Sequence, residues 1–143
     1  MPRYRHVLFV SDERDTIGLA DAMAIAASVG AALTLAVPIY EPPGLAHLAL
    51  YDLTELREEL REEAEEWASE ALATAPVALD MSVLVLPPRC TAVLASAMDC
   101  GTYDLCIARE RRRGLPLRRA TVATQLTRLA RRRRVPTLAL PPR

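Results

Sequence analysis

Short apolar runs alternate with helical segments along this chain, and that alternation limits the possible fold more than any other feature of the sequence. Runs rich in branched residues, such as RHVLFVS and VPTLAL, are typical of strands buried on both faces of a parallel sheet. Amphipathic segments separate these runs, and Gly30 suits the end of the first helix. Strands that alternate with helices form one sheet with right-handed crossovers. The sequence therefore predicts an α/β fold, an open five-stranded parallel sheet with helices on both faces (Rossmann-like).

The predicted elements form one series in the order β-α-β-α-β-α-β-α-β. The predicted strands cover residues 5–11, 32–39, 77–86, 103–108 and 135–140. The predicted helices cover residues 17–29, 54–73, 91–100 and 120–132, with Asp15 or Thr16 as the N-cap of the first. A chain of 143 residues can bury one hydrophobic core of ordinary size. We therefore expect a single domain over residues 1–143.

The loops that follow the strands are the expected ligand site. In open parallel sheets, ligands bind beyond the carboxyl ends of the strands, at the point where the strand order reverses. The loops at that edge cover residues 10–15, 37–44, 86–89 and 108–119.

The cysteines and histidines argue against a metal site. Cys90, Cys100 and Cys106 form no CxxC motif, which favours buried thiols in a reducing compartment over disulfides. His6 and His47 are isolated, which also argues against zinc. No apolar run reaches the roughly 18 residues of a membrane span, and the first residues carry no signal-peptide cleavage pattern. We expect a cytoplasmic protein without membrane insertion.

Charge is strongly segregated along the chain. Residues 1–104 contain seventeen acidic residues and six arginines, whereas residues 105–143 contain one acidic residue and twelve arginines. The predicted helix over residues 54–73 carries eight glutamates. Its acidic face is either solvated or a surface for a basic protein partner, such as the Arg-rich region of a second copy. Residues 131–134 could attract nucleic acid, but no aromatic residues accompany them and the acidic half would repel phosphate. The sequence therefore argues against nucleic-acid binding.

Four segments, in this order, resemble the universal stress protein family. They are the opening strand RHVLFVSD, the segment ASVGAALTLAVPIYEPP, the strand TYDLCIA and the closing RRRRVPTLALPP. The resemblance covers nearly the whole chain. It implies an adenine nucleotide alpha hydrolase-like form of the fold. It also implies a homodimer that pairs the C-terminal strand across a two-fold axis.

The resemblance places a cofactor-binding site at the ends of the first two strands. Asp12 falls where the family has an acidic residue near the adenine and ribose, and Ser11, directly before it, is counted in the same implied site. Val37 matches the residue whose backbone faces the adenine. Asp12 could equally be a turn residue that caps the first helix.

The family's phosphate-binding motif, Gly-x2-Gly-x9-Gly-Ser/Thr, is altered in this chain. Ala108 and Arg111 stand at the first two glycine positions. Thr121 follows after nine residues, and a two-residue insertion would place Thr124 at the hydroxyl position. Gly114 is the one glycine left in the loop, and it is not one of the motif's three.

Side chains at glycine positions obstruct a backbone cradle for phosphate. Arginines fill the same loop, and their guanidinium groups could hold an anion instead or could simply solvate the loop. The arginines concerned are Arg109, Arg111, Arg112 and Arg113.

Two functions therefore remain open. The first is a non-catalytic stress-response regulatory module without a cofactor, which does not bind ATP through the usual glycine motif. The alternative is a signalling module that binds ATP or AMP weakly through the Arg-rich loop. The sequence contains no P-loop, no GxSxG elbow and no Cys–His pairing. We therefore expect no enzyme activity and no catalytic residues, with weak ATP hydrolysis as a third hypothesis.

Overall fold

A computed structural model of the chain describes residues 4–11, 14–39, 53–87, 91–99, 102–109 and 122–141. Strands and helices alternate throughout these residues. In chain order they are β1 (His6–Val10), α1 (Thr16–Val29), β2 (Ala32–Pro38), α2 (Thr54–Ala73), β3 (Met81–Leu86), α3 (Thr91–Asp99), β4 (Leu105–Arg109), α4 (Val122–Arg132) and β5 (Thr137–Leu140).

The five strands form one sheet in the order β3-β2-β1-β4-β5, and every neighbouring pair is parallel. The predicted fold class is confirmed. From β1 the chain builds the sheet towards β3, and from β4 it builds towards β5. The order reverses between β1 and β4, so the carboxyl ends of these two strands form the switch point at which such sheets bind ligands.

The sheet is covered on both faces because side chains alternate along each strand. Phe9, Leu35 and Ile107 lie on one face and pack in a cluster with buried residues of α1 and α2. Leu8 and Cys106 lie on the other face and pack in a cluster with buried residues of α3 and α4. None of the helices within the described residues is long and apolar enough to cross a membrane.

The ends of α1 agree with the sequence. Asp15 is the N-cap, and its Oδ1 accepts a hydrogen bond of 2.8 Å from the backbone N–H of Gly18. Gly30 ends the helix in the left-handed conformation, with φ of 69°. The N–H groups of Gly30 and Ala31 donate to the carbonyls of Ala27 and Ala26, which closes the last turn.

Four of the five strands begin later than the sequence predicts, and hydrogen bonds explain the delay in β3 and β5. Residues 77–80 form a turn before β3, in which the N–H of Leu79 donates to the carbonyl of Pro76, and Val77 is fully exposed. Before β5, the N–H of Val135 donates to the carbonyl of Ala130 and so completes the end of α4. The N–H groups of Leu79 and Val135 thus bond within a turn and a helix end, although the apolar pattern had predicted both residues to be in strands.

Candidate functional site

Ser11 and Asp15, after the end of β1 and before the start of α1, lie at the carboxyl end of the sheet. Ser11 is buried directly after β1, and its N–H donates to the carbonyl of Ala36 at 3.1 Å. The Ser11 hydroxyl accepts a hydrogen bond of 2.7 Å from the backbone N–H of Asp15. This contact holds the start of α1 beside the strand that leads into it.

Arg109 is the last residue of β4, and its side chain joins three parts of the chain at this edge. Its Nε donates to Oδ2 of Asp15 in a short, charge-assisted ion pair. Its Nη1 donates to the carbonyl of Pro141, the residue after β5, at 2.6 Å. The Arg109 side chain is 22% exposed and that of Asp15 is 8% exposed. The ion pair is therefore largely removed from water.

One donor of this guanidinium is not used. Nη2 of Arg109 is buried and has no hydrogen-bond partner among the described residues. A buried N–H without a partner costs free energy, so this atom is a donor that an additional acceptor could satisfy.

Gly18, in the first turn of α1, makes room for the ion pair. A Cβ atom on Gly18 would lie 2.8 Å from Cγ of Asp15 and 3.1 Å from Nη2 of Arg109. Both contacts are closer than side-chain carbons normally approach, so the ion pair in its present position requires glycine here. A helical glycine costs about 0.5–1 kcal/mol relative to alanine.

A second ion pair connects this loop to α2. Arg14 lies directly before the N-cap, in the left-handed region with φ of 52°. Its Nη2 is 3.8 Å from Oε2 of Glu63, and both side chains are half exposed. Exposed pairs of this kind contribute about 0–1 kcal/mol, so the loop is held mainly by the buried contacts of Ser11 and Asp15.

The opposite edge of the sheet carries a polar row that the sequence did not predict. Nε2 of His6 lies 2.6 Å from Oγ1 of Thr34, which lies 3.0 Å from Oγ of Ser82. Asp104 accepts backbone hydrogen bonds from Arg5 and His6, which fixes the start of β1 beside β4. No group of three potential metal ligands occurs among the described residues.

Cys106 is an inert core residue. It is fully buried in β4, and its desolvation, followed by the nearby charge of Asp104, raises the pKa of the thiol to about 12. Its predicted burial is confirmed. Cys90 and Cys100 lie outside the described residues.

Comparisons with known proteins place this geometry in a recognised fold. No protein-family model matches the chain, and no curated protein matches its sequence. Among solved structures, a universal stress protein family member from Burkholderia pseudomallei matches 99% of this chain with 98% of its own, at a TM-score of 0.65 and 20% identity. UspA from Lactobacillus plantarum matches 100% of both chains, at a TM-score of 0.58 and 17% identity. The chain has the universal stress protein fold.

A third match is described as a universal stress protein in complex with cAMP. It covers 99% of this chain and 100% of its own, at a TM-score of 0.58 and 17% identity. At such identities the agreement is one of fold, and it gives no evidence about which residues bind a ligand.

The structure describes part of the site that the universal stress protein resemblance implies. Ser11 and Arg109 lie together at the switch point, joined through Asp15. Val37 is buried in β2, and Ala108 is buried in β4 beside Arg109. Other predicted site residues lie outside the described residues, and they are Asp12, Arg111, Arg113, Gly114 and Thr121. The side chain of Thr124, within α4, is also outside them.

Sequence reasoning missed three participants in this site. Asp15 was expected only as a cap, and neither Gly18 nor Pro141 was expected at all. The available signal was a glycine three residues after an acidic N-cap, in the first turn of a helix. That signal indicates a close approach but does not identify Arg109 as the approaching group.

The close contact at Gly18 predicts that the effect of Gly18→Ala on the free energy of unfolding has opposite signs with and without the Asp15 carboxylate. In the unmodified protein, Gly18→Ala should lower the free energy of unfolding by about 1–3 kcal/mol, because the new methyl group displaces the ion pair. In an Asp15→Ala background, the same change should raise it by about 0.5–1 kcal/mol, since alanine favours the helix. Urea unfolding of the four proteins measures both effects. Stabilisation by Gly18→Ala in the unmodified protein would contradict the close approach.

Proposed function

We propose that this protein is a non-catalytic stress-response regulatory module of the universal stress protein type, in which the usual nucleotide site is closed. The observation that carries the proposal is the Arg109–Asp15 ion pair across the carboxyl ends of β1 and β4. The fold supports the general class, and the ion pair supports the altered recognition.

The ion pair opposes phosphate binding in two ways. The Asp15 carboxylate occupies the N-terminus of α1, where a phosphate would otherwise meet free backbone N–H groups. The charge of Arg109 is already compensated by the same carboxylate. A nucleotide must therefore separate the pair or bind beside a negative charge.

The size of this obstacle can be estimated. Breaking a buried ion pair by removing one partner costs about 3–5 kcal/mol, which corresponds to an affinity loss of about a hundredfold to a few thousandfold. The glycine positions taken by Ala108 and Arg111 add a steric obstacle to the same ligand. Both effects predict poor ATP binding.

The alternative is a signalling module that holds ATP or AMP through arginine side chains. The observation that favours it is the buried Nη2 of Arg109, which has no partner among the described residues and could donate to a phosphate oxygen. The cAMP complex of a protein with this fold is compatible with such a ligand. In this alternative the phosphate replaces Asp15 as the partner of Arg109.

Catalysis has less support than binding. In the described part of the candidate site the carboxylate is that of Asp15, and its two oxygens already bond the helix N-terminus and Arg109. A general base must lie within hydrogen-bond reach of the attacking water, whereas the Asp15 carboxylate faces Arg109 and the helix N-terminus. Release of ADP from ATP would distinguish weak hydrolysis both from the closed site and from binding without hydrolysis.

We further propose a homodimer built on β5. This strand pairs with β4 on one side and lies at the end of the sheet. Leu138 is 40% exposed, whereas Leu140 is buried in the core. An exposed apolar edge strand favours pairing, and pairing with an identical strand closes the assembly.

Calorimetry with ATP and AMP tests the closed site. The unmodified protein should show affinity weaker than about micromolar, and Asp15→Ala should strengthen binding, because it removes the carboxylate from the N-terminus of α1 and frees the charge of Arg109 for phosphate. Arg128→Ala, on the exposed surface of α4, is the matched control and should change nothing. If Arg109→Ala abolishes a measurable affinity, the arginine-binding alternative is correct. Submicromolar ATP affinity in the unmodified protein would contradict the closed site.

Sedimentation in about 1 M salt tests the β5 dimer with charge effects screened. Leu138→Lys should convert the protein to monomer, because it replaces an exposed apolar residue at the two-fold contact with an ammonium group that would have to lose water on both copies. Val77→Lys, an equally drastic change at a fully exposed residue, should leave the dimer intact. Leu140 is unsuitable for this test, since its replacement would disturb the core. A dimer that survives Leu138→Lys would place the interface elsewhere.

A further inference from the structure

Two exposed surfaces of opposite charge remain outside the proposed function. The first, the acidic surface, is formed by α2, which carries eight glutamates and two arginines. Its members are Glu55, Glu58, Glu59, Glu62, Glu63, Glu65, Glu66 and Glu70, and all are exposed. Within this surface, Arg61 forms an ion pair with Glu65 of the same helix, and Arg14 forms one with Glu63. Two arginines on α2 cannot neutralise eight carboxylates.

The second, the basic surface, lies at the end of α4 and in the turn that follows. Its members are Arg128, Arg131, Arg132, Arg133 and Arg134, and all are exposed. Residues 122–141 contain no acidic residue. Arg133 forms an ion pair with Asp99 of α3. One carboxylate cannot neutralise five arginines, so the basic surface also carries excess charge. Arginines near a helix C-terminus are favourable for the helix itself, which accounts for Arg131 and Arg132 but less well for Arg134.

Arg134 occupies a position that favours glycine. The ends of α1 and α4 share one hydrogen-bond pattern, and Gly30 and Arg134 are the left-handed residues in it, with φ of 69° and 59°. A non-glycine residue in this conformation costs about 1–2 kcal/mol. At the end of α1 this position is Gly30, which adopts the conformation without that cost, whereas at the end of α4 it is Arg134, the fourth arginine in a row. Arg134 therefore adds charge to the basic surface but lowers the stability of the turn that holds it.

The fold separates the two surfaces. The inner side of α2 packs against β2 and β3, at one end of the sheet and on one face. The inner side of α4 packs against β1, β4 and β5, at the other end and on the opposite face. The two surfaces therefore point away from each other, and contact between them within one chain is excluded.

We propose that the acidic surface of one copy binds the basic surface of a second copy. The two surfaces have opposite charge and comparable excess, since α2 has six more glutamates than arginines and residues 122–141 carry five arginines. Because unlike surfaces meet, the contact is heterologous, and a pair of bound copies still presents one free acidic surface and one free basic surface. The contact joins copies head to tail and differs from any symmetric pairing through β5.

The contact is weak and sensitive to salt. Exposed ion pairs contribute about 0–1 kcal/mol each, although several in one network add. The screening length falls from about 30 Å at 0.01 M salt to about 3 Å at 1 M. Association through these surfaces therefore appears at low salt and high protein concentration. The assembly that persists at high salt is held by the β5 interface alone. The additional association at low salt therefore measures the contact between the acidic and basic surfaces.

Complementary charge reversal tests the proposal. One variant combines Glu59→Arg with Glu66→Arg, which lie on the outer side of α2. The other combines Arg128→Glu with Arg132→Glu, one helical turn apart on α4. These four residues take part in none of the ion pairs described above. Asp21→Arg and Arg5→Glu, at exposed residues of α1 and the N-terminal segment, are the matched controls.

Sedimentation velocity at low salt, as a function of concentration, gives the result. The unmodified protein and the controls should self-associate beyond their high-salt state, and each reversed variant alone should do so at least tenfold more weakly. An equimolar mixture of the two reversed variants should restore the association, since each then offers a complementary surface to the other. Unchanged association of either variant alone, or no restoration in the mixture, would overturn the proposal. So would salt-sensitive DNA binding lost in the α4 variant without any effect on self-association, since the basic surface would then serve nucleic acid.

Discussion

The ion pair between Arg109 and Asp15 determines what the carboxyl edge of this sheet can do. It joins the end of β4 to the first turn of α1, and the second contact of the same guanidinium reaches the carbonyl of Pro141 beyond β5. Ser11 orients the Asp15 backbone, and Gly18 leaves space for the carboxylate. Three segments distant in sequence, residues 11–18, Arg109 and Pro141, are thus connected at the switch point of the fold. Such a largely buried pair is costly to separate, and this cost is the basis of the proposal that the site is closed to nucleotides.

The universal stress protein fold does not by itself decide whether the chain binds a nucleotide. A protein of the same fold is described with cAMP bound, and the strand order here provides the same kind of edge. In this chain an internal carboxylate, that of Asp15, already bonds the arginine and the helix N-terminus at that edge. Function depends on such site residues more than on the fold.

Much of the fold could be predicted because local signals agree with it. Gly30 ends α1, and the bounds of α2 match the prediction because its apolar stripe persists for the full helix. The site was less accessible, since Asp15 and Arg109 are 94 residues apart and no periodic pattern relates them. Their pairing follows from the β1–β4 adjacency, which is a property of the sheet order. The start of β3 was also predicted wrongly, because Val77 belongs to an apolar run but lies in a turn closed by a hydrogen bond from Leu79 to Pro76.

Nuclear magnetic resonance of the Arg109 side chain tests the central claim most directly. The Nε–Hε group donates to Asp15 in a largely dry site, so its signal should exchange slowly with water and be absent in Arg109→Lys, which assigns it. It should be lost in Asp15→Ala and remain unchanged when ATP is added in large excess. A signal that exchanges as fast as that of an exposed arginine, or that moves on addition of ATP at low concentration, would contradict the account.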